Sequence, residues 1–443
     1  MDLALAFLIF AVSMIGVLMT GHAMSWAMLA GLAAFLWVGH RRGFPMRNLL
    51  RMSGRGARDS LIVVRVMLTI GVLTGLWRSA GTFAILTAWG LQLIKPGFFV
   101  LAAFLLSCVI SYAIGTSLGT AGTMGVALLT LARSGGVDEL VTAGAVLSGI
   151  YFGDRGSPAS SCANLVAALT STELYDNIRL MMRTALLPLT LSLVFYAAVS
   201  MHNPMLGAEN AMLRALTLDF YLHPLALMPA LVMLVLPLFK VGVLRSFLAS
   251  IAAAFACTVW LQGMDIPGAL SCAALGYRAP ANTIRAIFNG GGLASMLELC
   301  LTLVISGAYS GIFEGTRMLE GVQAHIEGLL ARFGAFPVTL AIGTASNAVF
   351  CNQTVGVMMT NQMMGRPYER RGLGRPELAQ DISNSTVPTA GLIPWCIGCS
   401  VPLAMMGTSP RAIPWAVYIY LLPLCYGLTK RRWFIKQPHK MPQ

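Results

Sequence analysis

A polar stretch from Ser148 to Leu165 separates two apolar segments and carries the side chains most able to do chemistry. Its Asp154 is one of very few carboxylates that cannot be assigned to a loop. Within a lipid environment, non-helical backbone is tolerated only where protein or a water-filled cavity satisfies its polar groups. A charged residue on such a break predicts a site that binds an ion or a solute.

Three other stretches share this polar character: Ile114–Gly125, Ser346–Thr354 and Asp381–Trp395. Hydroxyl and amide oxygens suit Na⁺ or a small polar solute. The predicted binding residues are Asp154, Thr116, Ser117, Ser157, Ser160, Ser161, Asn164, Asn352, Gln353 and Asn384. The alternative is that the Ser and Thr hydroxyls bond only to their own backbone. Because burial raises the pKa of a carboxyl group and a nearby cation lowers it, such a group can exchange H⁺ for Na⁺ or a cationic substrate near neutral pH.

The charged neighbours of this site allow a structural interpretation too. Asp154 is followed by Arg155, so the two side chains could form a fixed ion pair, or Asp154 could cap a helix. Arg65 and Glu298 each lie in the middle of an apolar segment, and the two alternatives are an intramembrane ion pair between them or a functional role for Glu298. Asp154 and Glu298 are the two acids predicted inside membrane segments, whereas Asp381 is placed at the mouth of a polar stretch.

Composition places the 443-residue chain among all-α polytopic membrane proteins. It is 57% hydrophobic and 11% charged, with a mean hydropathy of +0.74, whereas soluble domains carry about 25% charged residues. The net charge of +13 comes from loops, as the bias of Lys and Arg toward the cytoplasmic side predicts, and does not indicate nucleic-acid binding. We therefore expect a multi-pass protein of the inner membrane, whose partner is the lipid bilayer. Both termini are predicted to be cytoplasmic.

Motifs of enzymes and metal proteins are not found in the sequence. It has no phosphate-binding loop, HExxH motif or nucleophile elbow, so neither ATP-driven pumping nor hydrolysis is predicted. The six His residues show no ligand spacing, and Cys396 and Cys399 lie in an apolar run, which favours a structural role. We expect no enzyme activity, no metal and no cofactor other than transported Na⁺ and H⁺.

Features of the first half recur in the second half in the same order. Gly75–Arg78 and Gly311–Glu314 each end a long apolar span, and Ser157–Ala159 and Val387–Thr389 follow in matching order. Loop charges place the start of the first copy inside and the start of the second outside, which predicts an inverted-topology repeat. The alternative is chance matching in a Gly-rich chain. The predicted units are 1–56 (a helical hairpin and a basic cytoplasmic loop), 57–200 (first repeat), 201–289 (connecting helices), 290–429 (second repeat) and 430–443 (a basic tail).

Three of these stretches resemble signature segments of the NhaC family of Na⁺/H⁺ antiporters. They are Gly115–Thr123, Tyr151–Pro158 with the following Asn164-Leu165, and Leu392–Trp395. The resemblance covers roughly residues 57–428. It implies a secondary transporter with about 11–12 transmembrane helices, with broken or re-entrant segments and no covalent cofactor. By analogy it also suggests a homodimer.

Several positions depart from the family pattern. Ser161 stands where the family usually has an acid after the Ser-Pro pair, and Ser383 and Asn384 replace an acidic pair before Leu-Ile-Pro-Trp. Desolvating Na⁺ without an anionic ligand is costly. The leading prediction is cation-coupled antiport of the Na⁺/H⁺ type by alternating access. The alternatives are H⁺- or Na⁺-coupled transport of an organic acid or amino acid, which the missing acids favour, and a non-transporting scaffold or channel.

Overall fold

The computed structural model describes residues 2–20, 24–93, 96–158, 160–204, 216–239, 241, 243–279, 288–316 and 323–434. Within them the only β-type pairing is an isolated bridge between Tyr277 and Gly290, which confirms the predicted all-α class. Parts of every predicted unit lie outside the described residues: 1 and 21–23 of the hairpin, 94–95 and 159 of the first repeat, 205–215, 240, 242 and 280–287 of the connecting helices, 317–322 of the second repeat, and 435–443 of the basic tail.

The helices of the first half begin and end as follows: α1 Asp2–Thr20, α2 Met24–Arg41, α3 Met46–Asp59, α4 Leu61–Ser79, α5 Thr82–Leu93, α6 Phe99–Ile114, α7 Ser117–Thr120, α8 Val126–Ser134, α9 Glu139–Gly156, α10 Ser161–Thr170 and α11 Leu174–His202. Those of the second half are α12 Met228–Leu238, α13 Val243–Ala256, α14 Ile266–Leu275, α15 Leu297–Thr316, α16 Gln323–Phe333, α17 Ala335–Phe350, α18 Gln353–Arg370, α19 Arg375–Asn384, α20 Thr386–Thr389, α21 Ile397–Met405 and α22 Val417–Phe434. A π-helical turn over 121–125 joins α7 to α8.

Three helical stretches of the described chain are long and apolar enough to cross a membrane: Leu174–His202, Leu244–Leu261 and Leu293–Phe313. A fourth crossing results if Arg375–Leu392 and Ile397–Met405, which meet at an angle of 50°, count as one broken span. The exposed face of α11 is apolar, with Leu186 and Val194 about two-thirds exposed (63% and 65%). Such a face is what a lipid-contacting helix presents.

The order of helices and breaks recurs along the chain. In the first half α6 ends at Ile114, two residues break the helix, and α7 starts at Ser117. In the second half α17 ends at Phe350, two residues break the helix, and α18 starts at Gln353. The breaks after α9 and α19 follow in the same order. The segment 114–125 is therefore unwound at its start and helical beyond, rather than one regular helix.

Residues 46–59, which we predicted to be part of a basic loop, form helix α3. The basic side chains Arg47, Arg51 and Arg55 are exposed, whereas Gly56 is buried. A Cβ atom on Gly56 would lie 2.1 Å from the carbonyl oxygen of Gly307 on α15. The helix forms because its small residues let two backbones touch while its arginines stay in water.

Helix α9 is the element around which the site is built, and it is buried over almost its whole length. It packs against α6 through glycines: a Cβ atom on Gly153 would lie 2.1 Å from the carbonyl carbon of Ser111. The Tyr151 hydroxyl donates a 2.9 Å hydrogen bond to the carbonyl oxygen of Gly398 on α21. Both halves of the chain thus hold α9 in place.

Candidate functional site

Asp154 lies in the last turn of α9, where its carboxylate is buried and only 4% exposed. One oxygen, Oδ1, accepts a 3.3 Å hydrogen bond from the backbone N–H of Ser117. The other, Oδ2, accepts a 3.1 Å hydrogen bond from the side-chain amide of Gln353. No Lys, Arg or His within the described chain forms an ion pair with it.

The two residues that donate hydrogen bonds to Asp154 are each the first residue of a helix. Ser117 begins α7 and Gln353 begins α18, and each helix follows a two-residue interruption of the helical structure. Gly115 ends α6 with a left-handed φ of 77°, a conformation that favours glycine, and the Thr116 hydroxyl then caps α7 at Gly119. In the second half the Asn352 side chain caps α18 by accepting bonds from Thr354 and Val355. The breaks therefore aim the N-terminal ends of two helices, one from each predicted repeat, at a single carboxylate.

Other predicted hydroxyls shape the backbone around Asp154 rather than its carboxylate. The Ser160 hydroxyl donates to the Asp154 carbonyl and caps α10 by accepting bonds from Cys162 and Ala163. The Ser157 hydroxyl donates a 2.6 Å bond to the carbonyl of Tyr112. These bonds fix the sharp exit of the chain from α9, so the two serines position the acid.

Some predicted ligands lie away from the carboxylate. Ser161 and Asn164 are exposed on the first turn of α10, and the Asn164 amide bonds to the carbonyls of Pro158 and Ser160. Asn384 is buried at the end of α19, where its oxygen accepts a 3.5 Å bond from Thr184. The described structure records no hydrogen bond between any of these three side chains and Asp154.

Arg155 turns away from Asp154, so the suggested ion pair between them does not form. Neighbouring residues on a helix do not face each other. The Arg155 guanidinium is 1% exposed; it donates to the carbonyl of Met181, to Thr184 (3.3 Å) and to the Tyr418 hydroxyl (3.4 Å), and its Nε has no partner. No carboxylate of the described chain pairs with this buried cation.

The predicted ion pair between Arg65 and Glu298 is wrong. Both side chains are exposed, and no ion pair within 4.0 Å joins them in the described structure. The position of each residue in the middle of an apolar segment did not determine which way its side chain points around the helix.

Asp381, which we predicted to lie at the mouth of a polar stretch, is the second fully buried acid and is 0% exposed. Its carboxylate accepts hydrogen bonds from the hydroxyls of Tyr368 and Tyr426 and pairs with Lys430 at 2.5 Å. Sequence reasoning missed it because α19 continues through the polar run 381–384. The spacing of Glu377 and Asp381, one helical turn apart, was the available indication.

Comparisons of the sequence with known proteins identify its family. The profile of the Na⁺/H⁺ antiporter family matches residues 2–163 and 149–428. The chain is 27% identical over 419 residues to the malate-2H⁺/Na⁺-lactate antiporter of Bacillus subtilis, covering 90% of this chain and 88% of the relative. It is 26% identical over 404 residues to the Na⁺/H⁺ antiporter NhaC of the same organism, covering 88% of each chain. It is 25% identical over 407 residues to the arginine/ornithine antiporter ArcD of Halobacterium salinarum, covering 88% of this chain and 84% of the relative.

These matches confirm the resemblance to the NhaC family drawn from the signature segments, and they indicate a transporter rather than an enzyme. The helical structure, with its apolar spans and helix breaks, confirms the predicted class of fold. The chain is a multi-pass membrane protein of the cation-coupled antiport class, and it belongs to the Na⁺/H⁺ antiporter family.

Proposed function

We propose that the chain exchanges Na⁺ for H⁺ at the carboxylate of Asp154, in the inner membrane and with both termini cytoplasmic. The observation that carries this proposal is a buried carboxylate with no cationic partner within the described chain. A buried ionised carboxylate without a cation is costly. It therefore binds either a proton or a metal cation, and competition between the two is the elementary step of exchange.

The surroundings of Asp154 allow both states. Its place in the last turn of α9 puts it at the negative end of that helix, which disfavours the charged form. The N–H of Ser117 and the amide of Gln353 favour the charged form instead. These opposing effects support a group that gives up its proton when Na⁺ arrives.

Alternating access follows from where the partners of Asp154 lie. Ser117 and Asp154 belong to the first predicted repeat and Gln353 to the second, so a rocking of one repeat against the other changes the hydrogen bond between Gln353 and Asp154. Inverted repeats with broken helices around a shared site are the usual architecture for such motion. In this proposal the breaks before α7 and α18 expose Asp154 to one side at a time.

Replacing Asp154 by Asn tests the role of the carboxylate. In proteoliposomes with an internal pH dye, added Na⁺ or Li⁺ should drive a pH change with the native protein and none with D154N, because Asn cannot release a proton. K⁺ serves as the comparison ion. The matched control is D138N at the other end of α9, where Asn still accepts the capping bonds that Asp138 takes from Leu140 and Val141.

The two variants separate loss of function from loss of fold. D138N should transport as the native protein does, and D154N should reach the membrane and unfold at a similar temperature. Normal Na⁺-driven pH changes in D154N would overturn the proposal.

A second candidate, coupled transport of an organic anion, is favoured by one observation. Arg155 is a buried cation without a carboxylate partner in the described chain, and it has an unused donor at Nε. A carboxylate of a transported solute would supply the missing charge and accept that donor. One of the two relatives from Bacillus subtilis, the malate-2H⁺/Na⁺-lactate antiporter, is named for malate and lactate, which are anions of this class.

A further inference from the structure

We propose that Glu377, Asp381 and Lys430 form a second proton-binding site, in which two carboxylates share one ammonium group and one exchangeable proton. The site is distinct from Asp154. Its part in the transport cycle rests on the proposed exchange of H⁺, whereas the binding of the proton can be measured by itself.

The geometry of the cluster leaves one negative charge without compensation. Lys430 Nζ lies 2.5 Å from Asp381 Oδ2 and 2.7 Å from Glu377 Oε1. The side chains of Lys430 and Glu377 are each 14% exposed and that of Asp381 is 0% exposed, so little water is at hand to screen the excess charge. A buried charge without a partner is unfavourable, and binding a proton removes it.

Three helices contribute polar groups around Asp381. Helix α18 supplies the hydroxyl of Tyr368, and α22 supplies Lys430 and the hydroxyl of Tyr426 at 2.7 Å. Helix α17 reaches the cluster through Thr339, whose hydroxyl lies 2.8 Å from that of Tyr368. In the described part of α10, α11, α17 and α20, no charged side chain pairs with or hydrogen-bonds to Asp381. The proton therefore belongs to the two carboxylates as a coupled pair.

Tyr368, which donates a hydrogen bond to Asp381, also lines a cavity that is open to the surface. A partly open cavity of about 250 Å³ is lined by Tyr368, Leu378 and polar side chains that include Asn361, Arg366 and Arg375. The Tyr368 hydroxyl links that cavity to Asp381. Uptake transfers H⁺ from hydronium to a carboxylate oxygen of the pair and leaves neutral water, and release is the reverse.

The cluster also communicates with the centre of the molecule through α19. Asp381 lies one turn before the end of α19, whose last residue is Asn384. The side-chain oxygen of Asn384 accepts a hydrogen bond from the Thr184 hydroxyl, and that hydroxyl accepts a hydrogen bond from Arg155. Binding a proton weakens the attraction between α19 and α22, which loosens α19 at one end and can shift its other end. A proton at the cluster thus influences the break that follows α19.

Proton uptake by the purified full-length protein tests the site without any substrate. The titration runs from about pH 9 to about pH 6, a window in which an ordinary Glu with a pKa of about 4.3 stays ionised. The native protein should bind one proton more than E377Q, because the remaining Asp381–Lys430 pair is neutral. The matched control E369Q, which removes a 62% exposed acid from α18, should bind as many protons as the native protein.

A third variant gives a result that a purely structural ion pair does not produce. K430Q leaves two carboxylates without their ammonium group, so the proton should stay bound to a higher pH than in the native protein. In the D154N background, which removes the other proposed proton-binding carboxyl, infrared difference spectra across the pH step should show a protonated carboxyl band, and adding E377Q should remove that band.

The outcomes separate this site from the proposed exchange at Asp154. Equal proton uptake by the native protein and E377Q, or a proton released at lower pH in K430Q, would overturn the second site. If Na⁺-driven pH changes are absent while the Glu377-dependent uptake persists, the proposed function fails and the second site stands.

Discussion

At the scale of the residue, Arg155 and Asp154 show how neighbours in sequence take opposite roles. The carboxylate of Asp154 faces Ser117 and Gln353, whereas the guanidinium of Arg155 faces α11 and Tyr418 on α22. The sequence identified both residues but could not orient them, since successive side chains on a helix diverge by about 100°. In the proposed functions, Asp154 is therefore the group available to a cation and Arg155 the group available to an anion.

Replacing Arg155 by Gln tests whether that cation recognises a solute. Removing one partner of a buried pair costs about 3–5 kcal/mol, or on the order of a hundredfold or more in apparent affinity. We expect malate or lactate to drive exchange in proteoliposomes of the native protein and to lose that effect in R155Q. The control is R179Q, which removes an exposed arginine of α11 that pairs with Asp176.

The results distinguish binding of a transported anion by Arg155 from a purely structural role of this residue. Unchanged anion-driven exchange in R155Q, with the protein folded, would assign this arginine a purely structural role. Anion exchange lost equally in R179Q would point to a general effect of charge.

At the scale of the element, closely packed glycines set which helices can touch. Gly54 and Gly56 lie two residues apart on α3, the first exposed with open space around it and the second against the backbone of Gly307 and Gly311 on α15. A methyl group at Gly56 must push two helices apart, whereas one at Gly54 meets only solvent or lipid.

The same substitution at these two positions should therefore have opposite effects. G56A should destabilise the protein by about 1–3 kcal/mol through overpacking. G54A should be neutral or stabilising by about 0.5–1 kcal/mol, because Ala favours the helix more than Gly does. Thermal unfolding of the purified protein measures both. A G56A variant as stable as G54A would show that α3 and α15 separate easily.

The ends of helices were predictable from the sequence where glycine or a capping residue interrupts the helix. Helices were harder to predict where a run of polar residues stays helical. Gly115, Thr116 and Asn352 mark the breaks because glycine and capping side chains interrupt a helix locally. Helix α3 and the polar end of α19 were missed, because their polar residues resemble loops until a packing partner is known. The bond between Gln353 and Asp154 spans 199 residues of sequence, and no local pattern encodes such a distance.

At the scale of the whole molecule, the proposed orientation is supported by two basic segments that lie at the same end of the molecule. Lys430, next to Arg431 and Arg432 on α22, pairs with Glu377, which follows Arg366, Arg370, Arg371 and Arg375 around the junction of α18 and α19. Both basic segments thus lie at one end of the molecule, which supports a common cytoplasmic side. Helix α11, at 29 residues, is roughly 43 Å long and reaches across a bilayer.

Single cysteines at the two ends of α11 test this orientation. In a background with the native cysteines replaced, a membrane-impermeant maleimide added to intact cells should label M201C and spare D176C. Both native side chains are exposed, so neither position is shielded by protein. R47C on α3 should be spared as well, and labelling after lysis is the control for reactivity. The reverse pattern would place the termini outside.

The site joins three segments that leave the ribosome at very different times. Ser117 and Asp154 enter the membrane early, but Gln353 arrives only after a further 199 residues have been made. During that interval the first half holds an acidic side chain whose final partner does not yet exist. The nascent chain must therefore keep Asp154 neutral or near water until Gln353 has been made. A ribosome that stops before residue 353 leaves a fragment in which Asp154 lacks the hydrogen bond from Gln353.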